Sequence, residues 1–110
     1  PADLLAAAAQ AHTSLRSSEP ASGSVLKESP AMMRVTFLEP VRLTALVLVT
    51  VAGERRLTFT PGGSAVAFVS SAPRLEPGRN EVRWTALSQD GHVIEGHLII
   101  VLRVPAKSGD

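Results

Sequence analysis

Cysteine is absent from the 110 residues, which excludes disulfide staples, thiolate metal sites and cysteine nucleophiles together. Any metal ion is left with nitrogen, oxygen or methionine sulfur, and only two methionines are present. Tyrosine is missing too. One Trp and three Phe make up the aromatic complement, too few to build a stacking platform for a polymeric substrate. Charge of a single sign is equally scarce. Eleven Lys and Arg stand against ten Asp and Glu for a formal net charge of +1, scattered along the chain, so neither a nucleic-acid stripe nor a polybasic membrane patch is visible. No run approaches the roughly 18 apolar residues of a membrane span. What remains is 45% hydrophobic and 19% charged, an ordinary composition for one folded domain with a single core.

The opening Leu4-Leu5-Ala6-Ala7-Ala8-Ala9-Gln10-Ala11 is apolar and low in complexity. It ends in Ala9-Gln10-Ala11, the small-x-small pattern that a signal peptidase accepts, and reads as the tail of a secretory signal. On this reading residues 1–11 are a signal-peptide remnant or disordered leader and the mature chain begins at His12. A short Ala-rich helix is the alternative.

Past His12 the pattern is that of strands separated by turn residues. Met33, Val35 and Phe37 alternate with Arg34, Thr36 and Leu38 between Pro30 and Pro40, a period of two that buries one face. Leu43 to Val51 predicts a second strand stopping at Gly53, with Leu57 and Phe59 as the return strand of a hairpin and Pro61-Gly62-Gly63 closing it. Val66 to Val69 predicts a short strand before Pro73. Pro77-Gly78 then turns the chain into Val82, Trp84 and Ala86, which alternate with Glu81, Arg83 and Thr85. The last strand is expected from His97 to Val104, ahead of Pro105 and a frayed polar tail at 106–110. About seven short strands with no helical period predict an all-β fold, a seven-stranded antiparallel Greek-key barrel or sandwich of Ig-like, cupredoxin-like type.

Two motifs bracket the chain after residue 12. His12-Thr13-Ser14-Leu15-Arg16-Ser17-Ser18-Glu19-Pro20-Ala21-Ser22-Gly23-Ser24 opens it, and Leu75-Glu76-Pro77-Gly78, Val82-Arg83-Trp84 and Ser88-Gln89-Asp90-Gly91-His92 with Gly96 close it. Pro30, Phe37 and Glu39 fall between. In this order and separation they resemble the CopC family of periplasmic copper-binding proteins, with residues 12–105 as the copper-binding domain. The resemblance implies copper(II) bound by the α-amine and imidazole of a mature N-terminal His12 together with Asp90 and His92. It also implies Glu39 as an occasional oxygen donor or outer partner, its alternative being a solvated loop carboxylate before Pro40.

The chemistry can be followed from the residues. Copper(II) favours imidazole and amine nitrogens with oxygen donors in a tetragonal array. Residues two apart in an extended segment point the same way, so Asp90 and His92 can converge on one ion while Gly91 lets the backbone bend. Taken alone, Asp-Gly-His is more often a turn with a solvated histidine. His12 alters that balance only if processing exposes it, since its amine has a reference pKa near 8 and is readily deprotonated by a metal. Preceded by eleven residues, its nitrogen is an ordinary amide.

Departures from the family pattern are specific. Some CopC proteins carry a second, copper(I) site made from a Met-rich loop and an additional His, and here Leu43 to Val51 contains no Met. Adjacent Met32 and Met33 face opposite ways on a strand, Met33 inward as core filler. Asn80 and Val93 replace an aromatic residue and a proline, changes that touch packing and turn shape. His97 should face outward with Ile99 and Val101. It reads as a solvated strand-end histidine, or with Glu95 as an auxiliary copper or zinc contact beside His92, and the outward Ile99–Val101 pair as a partner surface.

These readings predict a periplasmic copper(II) carrier or buffer, not an enzyme, whose partners are the copper ion and, as the resemblance implies, a CopD-like inner-membrane transporter. It is expected to bind no nucleic acid and to be a monomer or weak homodimer. Two other classes compete. A chelating N-terminal His is also used by copper monooxygenases, but here a carboxylate would help to fill the equatorial plane and no substrate platform is present. A metal-free Ig-like interaction domain would make both motifs accidental.

Overall fold

A computed structural model describes residues 15–105. His12, the 1–11 leader and the 106–110 tail lie outside the described residues. Among those described, every regular element is a strand: β1 (Leu15–Glu19), β2 (Val25–Leu26), β3 (Met32–Thr50), β4 (Gly53–Arg56), β5 (Ser64–Ser71), β6 (Gly78–Leu87) and β7 (Val93–Leu102). The expectation of an all-β fold of seven strands holds.

Strand β3 organises the rest. The sequence suggested two strands on either side of Pro40, yet the chain runs through as one 19-residue strand. Its registers break at the expected place. Pairing with β5 skips from Thr36 to Val41, pairing with β1 ends at Phe37, and pairing with β6 starts at Arg42. Pro40 has no N–H to give to a ladder, so the strand bends there rather than stopping. Its first half joins β1 and β5, its second half β4 and β6, and β7 and β2 extend from β6.

The alternation read from the sequence supplies the core. Met33, Val35 and Phe37 from the first half of β3 are buried against Val82, Trp84 and Ala86 of β6 and Leu98, Ile100 and Leu102 of β7. Phe37 sits at the centre, edge-to-face with Trp84 at 5.1 Å and with Phe68 at 6.0 Å. Such pairs add about 0.5–1.5 kcal/mol each beyond their area. Met32 faces out and Met33 in, as the strand period requires.

Three expectations are corrected. The return strand of the β3 hairpin is Gly53–Arg56 rather than Leu57 to Phe59; Leu57 is drawn into the core while its N–H still bonds the Leu46 carbonyl at 2.8 Å. The last strand begins at Val93, and its first half is exposed or half-buried on both faces, so no apolar alternation announced it. The sheet is not wholly antiparallel, because β2 pairs with β7 in parallel. Asn80, read as a packing change, is fully buried. Its Oδ1 accepts from the Glu76 N–H at 2.8 Å, and its Nδ2 donates to the carbonyls of Glu76, Gly78 and Ile100, fixing the turn that launches β6.

Gly96 lies directly across from Trp84 in the β6–β7 ladder, and a Cβ there would come within 2.5 Å of the indole ring. Gly96→Ala should therefore force the ring off its position and cost about 1–3 kcal/mol, as overpacking does. Denaturant unfolding followed by Trp84 fluorescence checks this; unchanged stability would contradict the close packing described.

Candidate metal centre

Strands β6 and β7 are joined by the five residues Ser88-Gln89-Asp90-Gly91-His92. The turn is closed by the Ser88 N–H donating to the His92 carbonyl at 2.8 Å and the Gly91 N–H donating to the Ser88 carbonyl at 3.0 Å. Gly91 adopts φ +91°, a conformation open to glycine and strained for residues with a Cβ. That explains why glycine separates the two candidate ligands.

The side chains of Asp90 and His92 converge. Asp90 Oδ2 lies 2.9 Å from His92 Nδ1. An ionised carboxylate can only accept, so Nδ1 carries the proton, and in the neutral ring Nε2 is the nitrogen with a lone pair. The other carboxylate oxygen, Oδ1, accepts from the Ser88 hydroxyl and from the His92 N–H at 3.3 Å. These bonds stabilise the charged form. With the Ser88 hydroxyl as the largest cause and His92 next, the Asp90 carboxyl is lowered to about 2. Both side chains are open to solvent, His92 80% and Asp90 67% exposed, so the pair is organised without being buried.

The other predicted residues are placed apart from this pair. Glu39 is exposed at the bend of β3. His97 is five residues along β7, about 17 Å of extended strand from His92, and its Nδ1 faces Glu81 Oε2 at 3.9 Å. Glu81 already accepts from Arg83 at 3.2 Å, and that bond is the first cause holding its carboxyl below the usual range. A concavity of about 510 Å³ on this outer face is lined by Val47, Glu54, Arg83, Thr85, Glu95 and His97. The cation Arg83 among its carboxylates makes it a poor cation site, and neither Asp90 nor His92 lines it. Among the described residues, no three His, Asp or Glu side chains gather as a metal cage; the turn offers two donors and needs more from elsewhere. Sequence reading missed Ser88 as part of the arrangement, although it stood in the motif.

An all-β sandwich with an exposed carboxylate–imidazole turn at one end is a class of protein, and the comparisons narrow it. The chain belongs to the CopC domain family, whose model matches residues 15–100. None of the curated proteins compared with it matches. Among solved structures, CopC from Methylosinus trichosporium OB3b superposes with a TM-score of 0.69 at 19% identity, covering 84% of this chain and 95% of that one. PcoC, a methionine-rich copper resistance protein from Escherichia coli, superposes with a TM-score of 0.57 at 26% identity, covering 81% and 96%.

The depressed carboxyl has a measurable consequence. Because its folded pKa lies below the unfolded value of 3.8, the turn's hydrogen bonds stabilise the folded chain fully above pH 3.8 and are lost as pH falls through about 2. Carboxyl ¹³C NMR of Asp90 should titrate with a midpoint near 2; a midpoint near 3.8 would contradict the hydrogen-bonded arrangement.

Proposed function

We propose that this chain is a periplasmic copper(II)-binding protein of copper resistance, acting as a carrier or buffer, with one copper(II) site and no Met-rich copper(I) site. Copper is its cargo, and no catalytic step is required of it. The ligands are the α-amine and imidazole of His12, once the chain begins there, with Asp90 and His92; Glu39 is available as a further oxygen donor.

The observation that carries this reading is the position of the Asp90–His92 turn at the bend of β3. Arg42 pairs with Leu87 of β6 on one edge and with Ser64 of β5 on the other, and Thr36 pairs with Ser17 of β1 and Ala67 of β5. A strand has two edges, so β1 and β6 follow one another along the same edge of β3. Leu15, at the start of β1, stands opposite Phe37, and Leu87, just before the turn, opposite Arg42. Leu15, the first described residue, thus stands at the end of the molecule where Asp90 and His92 sit, and His12 precedes it by three residues, a reach of about 10 Å for an extended chain. The donor types suit copper(II), which takes imidazole, amine and carboxylate together. Membership of the CopC family and the likeness to PcoC add the copper-resistance assignment. The absence of Met between Leu43 and Val51 supports a single site. Transfer to a CopD-like membrane protein fits the carrier role.

Protein beginning at His12 is expected to take up one equivalent of copper(II), giving a type 2 EPR spectrum with nitrogen couplings. His92→Ala and Asp90→Ala should each weaken binding by more than the roughly 10- to 100-fold that loss of an outer partner costs. Keeping residues 1–11 should also weaken it, since the amine donor is then an amide. Absence of a stoichiometric signal, or affinities unmoved by these changes, overturns the proposal.

A further inference from the structure

We propose that Ser88 is the positioning residue of the Asp90–His92 pair, setting both donors with one hydroxyl before copper arrives; this rests on the copper-site reading above. Three bonds to Asp90 and His92 meet on this half-buried side chain and its own backbone. Its Oγ donates to Asp90 Oδ1, its Oγ accepts from the His92 N–H at 3.2 Å, and its N–H donates to the His92 carbonyl at 2.8 Å. The first fixes the carboxylate, and the other two fix the backbone of the imidazole's own residue.

The consequence is a division of labour between the two carboxylate oxygens. Oδ1 is committed to Ser88 and to the His92 N–H, so the carboxylate cannot rotate freely, and Oδ2 is the oxygen turned to the imidazole. Oδ2 and Nδ1 stand 2.9 Å apart, so one ion bound by both takes the place of the proton between them, and it meets a carboxylate and a ring whose orientations are already restricted in a turn too exposed for packing to restrict them. Ordering an exposed carboxylate and an exposed ring at the moment of binding costs side-chain entropy. Ser88 removes part of that cost in advance. Glycine at 91 gives the backbone its path, but it contributes no side-chain bond, so the orientation of the pair falls to Ser88.

Two variants in protein beginning at His12 test this, with one measurement made without metal and one with copper(II). In the metal-free protein, ¹⁵N NMR of His92 with its ring neutral should show the Nδ1–H tautomer. Ser88→Ala should shift it to a mixed population with altered His92 amide resonance, while circular dichroism and thermal unfolding stay at wild-type values. Copper(II) affinity should fall roughly 10-fold, as for loss of an outer partner, with a changed EPR hyperfine splitting. Ser88→Thr, which keeps the hydroxyl, should restore the tautomer, the affinity and the spectrum. Wild-type copper affinity and spectrum in Ser88→Ala overturn the proposal, as does an unchanged His92 tautomer. If the unsubstituted protein takes up no copper, the copper-site reading fails, and the metal-free spectra alone decide whether Ser88 sets the pair.

Discussion

The structure depends on a single strand, β3, that carries both halves of one seven-stranded sheet. Between Thr36 and Val41 the ladder on β3 is interrupted, and Pro40 in that gap cannot donate a backbone hydrogen bond. A strand that continues through such a gap changes direction. The apolar alternation before it, Met33-Val35-Phe37, and after it, Leu46 and Leu48, then belongs to a shared core. Because β1 and β6 lie in succession on one edge of β3, the same bend brings the first described residues of the chain and the β6–β7 turn to one end of the molecule. Core formation and the placement of the Asp90–His92 turn near the start of β1 are thus two results of one backbone event.

At that end the electrostatics are local. The Asp90 carboxylate, though open to water, is stabilised by hydrogen bonds from Ser88 and His92, not by an arginine or lysine. An anion held by a hydroxyl and an imidazole, with no arginine or lysine beside it, retains its attraction for a cation. The contrast is the Glu81 cluster on the outer face, where Arg83, Arg79 and His97 surround one carboxylate and balance its charge. Equal numbers of acidic groups would not distinguish these two places; their partners do.

Much of the fold could be read from the sequence because one-sided burial leaves a period of two. Val82-Trp84-Ala86 and Leu98-Ile100-Leu102 are buried as their alternation implied. What escaped reading has no such period. β1 exposes most of its residues and β2 is two residues long, so their pairing is decided by the chain's route and by bonds such as Gly23 N–H to the Ile99 carbonyl. β4 is exposed throughout, and the apolar Leu57 and Phe59 beyond it drew the strand assignment past its end. Asn80 illustrates a different limit: a polar side chain at a core position is legible only once the carbonyls it satisfies are in place. In the site, Asp90, Gly91 and His92 were legible as a motif, and the convergence of the two side chains agrees with it. The hydroxyl of Ser88 was not, because its role lies in three-dimensional bonds rather than in spacing. The alternative reading of His97 as an auxiliary contact beside His92 is not what the strand provides, since five residues, about 17 Å of extended chain, separate them.

Copper is proposed to enter at the turn after β6, and not at the histidine-bearing outer face. The most direct measurement is a crystal structure of copper-loaded protein beginning at His12, with anomalous scattering recorded at the copper edge. The expected result is one strong peak within bonding distance of Asp90 and His92 at the bend of β3. A principal peak at His97, Glu95 and Glu81, or none at the turn, would contradict it.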